Sequence, residues 1–533
     1  MVNPFELIIR RLRVQILLVL FICILVQNGR SSPEKFKPRL IVTADPELDD
    51  LNSLIRLLLY SSEIQIEGLI YASSQFHWKG DGKGTKFMVP GREYTRYGLS
   101  LCPCVSYRWK EDERFIHDAV DAYERVYSNL IIHDPAYPDP VTLRSKIKVG
   151  NIEFEGDYSK DTEGSNWIKS LILDDAPGPL YITAWGGQST IARALKSIED
   201  QYKANPEWEE LKKKISDKVV LLPSGDQDGS YASYIQPQWP GIDYRQFRNG
   251  PNYGYGAQLV ANSENAPYLT PAWMKENIST KGPFGNLYRV WGDGKQMVKG
   301  DVFDYFGLNG FTDDQLKKMG YIVWMPVQQP GAWLGEGDTP TFMNLIPNGL
   351  NGWIKDNPGG WAGNLFIPDP KTYRDPFSND TTKNKDLVIS ATTLNEFADA
   401  SGKDDPYPNF FPAVQNDFAS RMEWSVQNSF SSANHPPDVA LKTANEISAR
   451  PGQMINLIAK VVDPDGDEIN TRWWVFKTKS IKSKPFIERV NNLKAQIKIP
   501  EQAKSGDDYF IVFEARDNGK PSLTRYRLIH IKI

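Results

Sequence analysis

Four acidic residues lie within six positions of the chain, directly after a run of apolar and β-branched residues. The run at 40–43 predicts a buried strand, a helical spacing of leucines follows, and between the two lie Asp45, Glu47, Asp49 and Asp50. A turn from the carboxyl end of a strand into a helix is where open α/β sheets bind ligands. Crowded carboxylates repel one another unless protons or a hard cation compensate them, and oxygen ligands suit Ca²⁺ or Mg²⁺. The alternative is an Asp N-cap with an acidic first helical turn.

Further polar clusters follow other predicted strands. Strand patterns at 64–73, 180–184 and 218–222 precede Ser73–Gln75, Trp185–Thr190 and Ser224–Asp228. Each cluster alone is typical of turns and helix caps. Because the carboxyl ends of parallel strands meet at one edge of a sheet, four such clusters together predict a binding site there. The late turn Glu336–Asp338 either adds a carboxylate to the same edge or is a surface turn.

The order of the patterns predicts two domains. From 36 to 430 strands alternate with helical patterns, at 50–60, 113–130, 190–201 and 314–319, which predicts an α/β domain with an open, mostly parallel sheet flanked by helices. Residues 431–437 are a plausible linker. Beyond them, 438–533 contains short alternating strands, which predict an all-β immunoglobulin-like or cadherin-like sandwich. Its acidic turn Asp463–Glu468 suits either a structural Ca²⁺ or a solvated hairpin.

Residues 1–32 have the pattern of a signal peptide. Arg10, Arg11 and Arg13 precede an apolar run at 16–26, and a polar segment of small residues follows. The apolar run is short for a membrane span. We therefore expect a secreted, periplasmic or extracellular protein with no membrane partner after cleavage, and an uncleaved anchor is the alternative.

Charge and cysteine content exclude several classes of partner. The formal net charge of −4 becomes −7 when 1–32, with four Arg and one Glu, is removed. Without a basic run elsewhere, nucleic acid is excluded as a partner. Outside 1–32 only Cys102 and Cys104 remain, too few for a four-ligand zinc site, and either a local disulfide or two thiols fits. The sequence carries no signal for an oligomeric state.

Four segments resemble a known family. Asp45-Pro46-x-x-Asp49-Asp50 is similar to the Asp-x-Asp-Pro-x-x-Asp-Asp hallmark of the calcium-dependent nucleoside hydrolases, and Ala184–Leu195 is similar to their Thr-Gly-Pro-Leu-Thr-Asn-Ile-Ala segment. The segments Glu336–Leu350 and Phe411–Phe418 resemble an exported branch of this family. That branch consists of nucleoside hydrolase-like, cellulose-binding proteins with a small carboxyl-terminal β-domain. The resemblance extends over essentially the whole chain after 1–32.

The resemblance implies roles for individual residues. Asp45 matches the catalytic base, which also contacts Ca²⁺, Asp50 matches a bidentate Ca²⁺ ligand, and Asp49 matches a group that binds sugar hydroxyls. Trp185 lies where the family donates a backbone carbonyl to the metal, close to the substrate. Asp338 is the expected late carboxylate ligand.

Gln75 and His77 are expected near the substrate, and Glu336 is an alternative to Asp338 as the late metal ligand. Gln75 lies near a sugar-binding Asn of the family, and His77 is expected at the edge of the sheet or as a surface His. Glu336 is the substitute for Asp338. The chain departs from the family at Thr43, where the first Asp of the hallmark is usual, and the family's ribose-binding Asn/Glu cluster is not recognisable in 224–243.

Three functions are compatible with these features. The first is an exported Ca²⁺-dependent hydrolase of a glycosidic or N-glycosyl bond, with Asp45 as the base and a carbohydrate as the substrate. The second is a non-catalytic carbohydrate-binding protein. The third is an inactive sheet domain that the β-sandwich anchors to a surface. The 15 Trp, 24 Tyr and 24 Phe beside carboxylates suit sugar rings.

Overall fold

The computed structural model describes residues 37–95, 98–367, 407–476 and 485–533. The predicted signal peptide therefore lies outside the described residues. The α-helices are α1 (Leu48–Leu59), α2 (Phe115–His133), α3 (Pro140–Ser145), α4 (Glu163–Leu173), α5 (Ser189–Tyr202), α6 (Trp208–Lys218), α7 (Gln236–Gln238), α8 (Ala257–Val260), α9 (Pro271–Met274), α10 (Gly282–Leu287), α11 (Asp313–Lys318), α12 (Pro340–Met343) and α13 (Phe411–Trp424).

The strands divide between two regions of the chain. Those before residue 367 are β1 (Arg39–Ala44), β2 (Gln65–Tyr71), β3 (Ile147–Val149), β4 (Leu180–Ala184), β5 (Val219–Pro223), β6 (Asp243–Tyr244), β7 (Gln246–Asn249) and β8 (Gly363–Phe366). Those after residue 437 are β9 (Asp438–Leu441), β10 (Glu446–Ser448), β11 (Met454–Val462), β12 (Ile469–Phe476), β13 (Phe486–Asn491), β14 (Lys494–Lys498), β15 (Asp508–Asp517) and β16 (Thr524–Lys532).

Six parallel strands form the central sheet, in the order β3-β2-β1-β4-β5-β6. Strands β2 and β3 follow β1 on one side of it in the sheet. Strand β4 pairs with β1 on its other side, and β5 and β6 follow there. The strand order therefore reverses between β1 and β4. In sheets of this kind the crevice at the carboxyl ends of these two strands is the ligand site.

The sheet is covered on both faces, as its sequence requires. Leu40 and Val42 of β1 lie in one apolar cluster with leucines of α1, and Ile41 lies in another with residues of α5. Successive side chains of a strand point to opposite faces, so a continuous apolar strand needs a helical layer on each side. All residues of β1 and α1 are buried, and so both elements are rigid supports for the turn between them.

The carboxyl-terminal region is a β-sandwich. Its sheets have the orders β10-β16-β15-β12 and β13-β14-β11-β9, and all their pairs are antiparallel except β10 with β16. The predicted fold class, an open parallel sheet flanked by helices plus a carboxyl-terminal all-β sandwich, is thus confirmed.

The sandwich packs directly on the α/β region. Phe510 and Tyr526 belong to the same apolar cluster as Phe410 at the start of α13. Arg525 forms a buried ion pair with Asp417 of α13. Pro38–Ile533 is accordingly one compact unit.

Two smaller expectations concern the cysteines and the membrane. Cys102 and Cys104 are joined by a disulfide, which decides between the two alternatives for this pair. Within the described ranges, no helix combines the length and apolar character that a membrane crossing requires.

Candidate functional site

The turn from β1 into α1 places the acidic residues in a fixed arrangement. The N–H of Asp45 donates to Asp50 Oδ1 at 3.1 Å, and the N–H of Glu47 donates to the carbonyl of Asp45 at 2.8 Å. Asp49 and Asp50 lie in the first turn of α1, where the helix dipole favours negative charge. Asp45, Asp49 and Asp50 are all buried.

The carboxylates are close to one another. Oxygens of Glu47, Asp49 and Asp50 lie within 4.8 Å of each other, and so do ligand atoms of Asp45, Glu47 and His77. We call Asp45, Glu47, Asp49, Asp50 and Asp338 the acid cluster. Among the described residues, none of these five carboxylates forms an ion pair with Lys or Arg.

Burial and mutual repulsion raise the pKa values of four acids: Glu47, Asp49, Asp50 and Asp338. Burial raises the pKa of Asp49 to about 6, although hydrogen bonds from Tyr255 and the Gly337 N–H favour its charged form. Burial, and after it the charge of Asp338, raises the pKa of Asp50 well above its usual range. The pKa values of Glu47 and Asp338 are raised in the same way, by burial first and the charge of Asp49 second. A cation would remove this cost.

The two oxygens of Asp45 have different surroundings. Oδ2 accepts hydrogen bonds from Ser74 Oγ at 2.6 Å and from His77 Nδ1 at 2.8 Å. Burial, with Arg108 second, lowers the pKa of His77, so its ring is neutral and carries its proton on Nδ1. Oδ1 of Asp45 is buried and has no hydrogen-bond partner among the described residues. An orphaned carboxylate oxygen in a group of acids is the expected position of a ligand contact.

Glycines let the backbone approach the acid cluster closely. A Cβ on Gly186, in the turn after β4, would lie 2.4 Å from Asp45 Oδ1. A Cβ on Gly337 would lie 2.4 Å from Asp49 Oδ2. The space beside both carboxylates therefore exists only because these positions carry no side chain.

The four polar clusters after β1, β2, β4 and β5 come together, as the sequence predicts for one edge. The carbonyl of Ser73 accepts from the N–H of Gly187 at 2.9 Å, and Gln227 Nε2 donates to the carbonyl of Trp185 at 2.6 Å. Gln75 is buried, and its N–H donates to the carbonyl of Gln227 at 3.1 Å.

Trp185 contributes to the site through its backbone. Its indole is 1% exposed and donates to Thr341 Oγ1 at 2.9 Å, so this ring supports the site from the core. Its carbonyl is the group at the sheet edge, where Gln227 holds it. The ring is consequently not a stacking surface for a sugar.

The late turn supplies one carboxylate to the acid cluster. Glu336 is completely buried and pairs with Arg56, and it also accepts from Tyr288 Oη and Thr339 Oγ1. Asp338 instead lies among the acids, because after burial the charges of Asp49 and Asp45 raise its pKa. The geometry therefore favours Asp338 over its substitute Glu336 as a metal ligand.

The acid cluster fits Ca²⁺. Its donors are oxygens, its charges are uncompensated, and Asp45 Oδ1 is unpartnered. Asp45, Asp50 and Asp338 would hold the ion, and the Trp185 carbonyl, which accepts from Gln227, stays a predicted ligand. Thr43, buried beneath the turn, adds no charge.

Sequence reasoning missed several participants. Glu47 was visible in the motif, but no role was assigned to it. Ser74 lay within a polar cluster whose partners only the tertiary fold reveals. Tyr255, whose hydroxyl donates to Asp49 Oδ1 at 3.1 Å, comes from a distant loop and had no local signal.

A cavity of about 560 Å³ lies one residue layer from the acid cluster. Gly254 and Gly337 form part of its wall, and the N–H of Gly337 donates to Asp49 on the other side. Amide and aromatic side chains line it: Phe247, Asn249, Asn252, Tyr253, Asn262, Asn265, Tyr407 and Phe411. This mixture suits a ligand with hydroxyl groups and apolar faces.

The fold and the acid cluster define a nucleoside hydrolase-like α/β domain that carries a β-sandwich. Residues 39–365 match the family described as cellulose-binding Sde182, nucleoside hydrolase-like domain, and residues 454–533 match the cellulose-binding protein Sde0182 carboxyl-terminal domain. The chain belongs to this cellulose-binding Sde182 family.

A solved structure from Saccharophagus degradans has the same fold. This nucleoside hydrolase-related hypothetical protein, described as associated with carbohydrate metabolism, aligns over 93% of this chain and 100% of its own, with a TM-score of 0.63 and 22% identity. The type III effector XopQ, complexed with adenosine diphosphate ribose, aligns over 65% of this chain and 87% of its own, at a TM-score of 0.30 and 11% identity, too low to support an argument. No curated protein sequence matches the chain.

Proposed function

We propose that the protein is an exported, calcium-dependent hydrolase that cleaves a glycosidic or N-glycosyl bond of a carbohydrate. The observation that supports this most is the unpartnered Asp45 Oδ1, buried among carboxylates at the switch point of the sheet. The family's description as cellulose-binding, and the association of the S. degradans relative with carbohydrate metabolism, support a carbohydrate over a nucleoside.

Each residue of the site has a chemical task in this proposal. Asp45 is the proposed base that takes a proton from the attacking water, while Ser74 and His77 hold its Oδ2 in place. The chemistry that calcium supplies in such a site is acidification of a neighbouring water. Direct attack by water on the anomeric carbon breaks the bond to the leaving oxygen or nitrogen, which takes a proton from solvent, and inverts the configuration of that carbon.

Asp49 is the group proposed for sugar hydroxyls. Tyr255 and the N–H of Gly337 fix the orientation of its carboxylate. In the transition state the sugar gains oxocarbenium character, and the carboxylates of the acid cluster stabilise that positive charge. The cavity behind Gly254 and Gly337 is proposed to hold further parts of the glycan.

A second candidate function is carbohydrate binding without hydrolysis. An observation in its favour is that two donors, Ser74 and His77, already occupy Asp45 Oδ2, an arrangement that also suits a carboxylate fixed for binding. Thr43 also leaves the site with less charge than the family's hallmark has. In this case the acids and the cation would only bind hydroxyl groups.

A release assay distinguishes the two functions. Purified protein in CaCl₂ is incubated with plant and microbial glycans and with nucleosides, and released sugar is measured for the wild type and Asp45→Asn. We expect release from a carbohydrate by the wild type, and a loss of about 10²–10⁴-fold in Asp45→Asn. The control is Asp112→Asn, which changes an exposed carboxylate outside the acid cluster and should keep full activity.

The same proteins are tested for glycan binding by sedimentation with insoluble cellulose. If the wild type and Asp45→Asn bind equally and neither releases sugar, hydrolysis is contradicted and the second candidate replaces it. If nucleosides alone are cleaved, the carbohydrate assignment is wrong while the acid cluster keeps its role.

A further inference from the structure

A second group of oxygen atoms lies where the α/β region joins the sandwich. It comes from three segments that are distant in sequence. Asn434 follows α13, the turn 463–467 connects β11 to β12, and Asp517 ends β15. We call these residues the junction cluster. None of them takes part in the acid cluster.

Three oxygens of the junction cluster lack a partner. Asp463 Oδ2, Asn434 Oδ1 and Asp517 Oδ2 are buried atoms without a hydrogen-bond partner among the described residues. Asp517 is only 2% exposed and Asn434 only 6% exposed, so water in bulk does not solvate these groups. A buried carboxylate or amide oxygen left unpaired is costly and calls for a ligand.

The cluster is one contiguous group. Asn434 Nδ2 donates to Asp517 Oδ1 at 3.1 Å. Oxygens of Asp463, Asp465 and Asp467 lie within 4.8 Å of one another. The backbone N–H of His435, the residue after Asn434, donates to Asp465 Oδ2 at 2.6 Å, so the turn contacts the segment that carries Asn434.

Three carboxylates of the junction cluster have no Lys or Arg partner. In the described part of the chain, none of the carboxylates of Asp463, Asp467 and Asp517 is paired with Lys or Arg. Asp465 differs, because it accepts from the backbone N–H and Nδ1 of His435. The three other carboxylates are therefore open to a cation.

An ordinary hairpin turn accounts for only part of this arrangement. Asp463 Oδ1 accepts from the N–H groups of Asp465 and Asp467, as an aspartate does in many turns. The turn alone does not explain why Asp463 Oδ2 is buried and unpaired. It also does not explain why two further orphaned oxygens, of Asn434 and Asp517, lie in the same group.

We propose that the junction cluster is a calcium site, separate from the acid cluster. Asn434 Oδ1, Asp463 Oδ2 and Asp517 Oδ2 would bind the ion, and the exposed side of the turn would supply further oxygens from Asp465, Asp467 and water. Ca²⁺ takes about six to eight oxygen ligands, which this set can provide.

A calcium ion in the junction cluster would connect the β-sandwich to the α/β region. The carbonyl of Asn434 accepts from Ser420 Oγ at 2.7 Å and from Trp424 Nε1 at 2.9 Å, so Asn434 is anchored on α13. A cation shared by Asn434, Asp463 and Asp517 therefore fastens the sandwich to the last helix of the α/β region. Calcium would stabilise the relative position of the two.

Calcium titration of the chelator-treated full chain tests the proposal. We expect the wild type to bind the ion at the junction cluster, and Asp517→Asn to lose that binding event or to weaken it at least tenfold. Asp50→Asn, in the acid cluster, should keep it, which separates this proposal from the proposed function. Glu488→Gln, an exposed acid of β13, is the control and should bind as the wild type does.

Asp467→Asn covers the case in which Asp517→Asn does not fold, because Asp467 is less buried than Asp517. It should fold and bind calcium several-fold more weakly. If Asp467→Asn and every folded Asp517→Asn preparation bind calcium with wild-type stoichiometry and affinity, the junction cluster is a hairpin turn only and the proposal is overturned. If Asp50→Asn abolishes all calcium binding, it is overturned as well.

Discussion

Arg56 and Glu336 form an ion pair in which both side chains are fully buried. Arg56 lies on α1, six residues after Asp50, and Glu336 precedes Asp338 by two residues in the late turn. The pair therefore holds the late turn against the helix that carries Asp49 and Asp50. The acid cluster depends on this contact, although neither partner belongs to it.

Replacement of Arg56 by Met should destabilise the protein strongly, because Glu336 would remain buried without a cation. Loss of one partner of a buried pair costs about 3–5 kcal/mol. Equilibrium unfolding in urea measures the effect. Lys213→Met, which breaks an exposed pair with Asp217, is the control and should change the free energy of unfolding by less than about 1 kcal/mol. Equal effects in both variants would contradict the assignment.

Gly186→Ala should impair the site while the fold is kept. The added Cβ would lie 2.4 Å from Asp45 Oδ1, so the carboxylate must move. Calcium binding at the acid cluster, followed by titration, should weaken at least tenfold. Gly254→Ala is the control, because its Cβ would meet the nearest atom at 3.5 Å, an ordinary contact. Unchanged calcium affinity in Gly186→Ala would show that Asp45 Oδ1 is not a ligand.

Calcium should stabilise the protein more at pH 7.5 than at pH 5. The raised pKa of Asp49 means that its protonated form stabilises the metal-free fold below its ordinary pKa of 3.8, and that this stabilisation is lost as the pH rises through about 6. The raised pKa values of Asp50 and Asp338 act in the same direction. Thermal unfolding with CaCl₂ or a chelator measures the difference.

Asp50→Asn shows whether the pH dependence of calcium stabilisation comes from the acid cluster or from calcium bound elsewhere. The variant carries one repelling charge fewer, so its calcium-dependent rise in Tm should depend less on pH than that of the wild type. The same pH dependence in both proteins would contradict the role of the acid cluster.

Asn249→Gly should weaken glycan binding. Asn249 lines the cavity, its Oδ1 lacks a partner in the described residues, and its backbone has φ 67°, which Gly adopts without strain. Loss of one hydrogen bond predicts about a fivefold to tenfold weaker affinity in a pull-down with soluble glycan. Asn351→Gly removes a left-handed Asn (φ 54°) outside the cavity and should bind normally. Equal binding by both would mean that the cavity is not used.

The fold could be predicted because its strands are short apolar runs and its longer helices have apolar residues at helical spacing. The predicted strand at 180–184 coincides with β4, and the helix at 190–201 differs from α5 by one residue at each end. The short strand β3 and the charged helix α6 were not predicted, since three residues or a polar surface give little periodic signal.

The site was predicted to the extent that its residues are local to a motif. Asp45, Asp49 and Asp50 lie in one turn, and strand order alone brings Trp185 to them. The contacts of Tyr255 with Asp49, and of His77 with Asp45, depend on loops whose course no local pattern determines. The ion pair between Glu336 and Arg56 likewise could not be predicted from the sequence, because the two residues are distant along the chain.

The central claim is that the acid cluster binds calcium, and a crystal grown in CaCl₂ tests it most directly. We expect density for an ion with Asp45 Oδ1 and carboxylate oxygens of Asp50 and Asp338 at about 2.3–2.6 Å, the usual Ca²⁺–oxygen distance. The same density should be missing in Asp50→Asn. Well-ordered side chains with only water, or nothing, between these three carboxylates would contradict the claim.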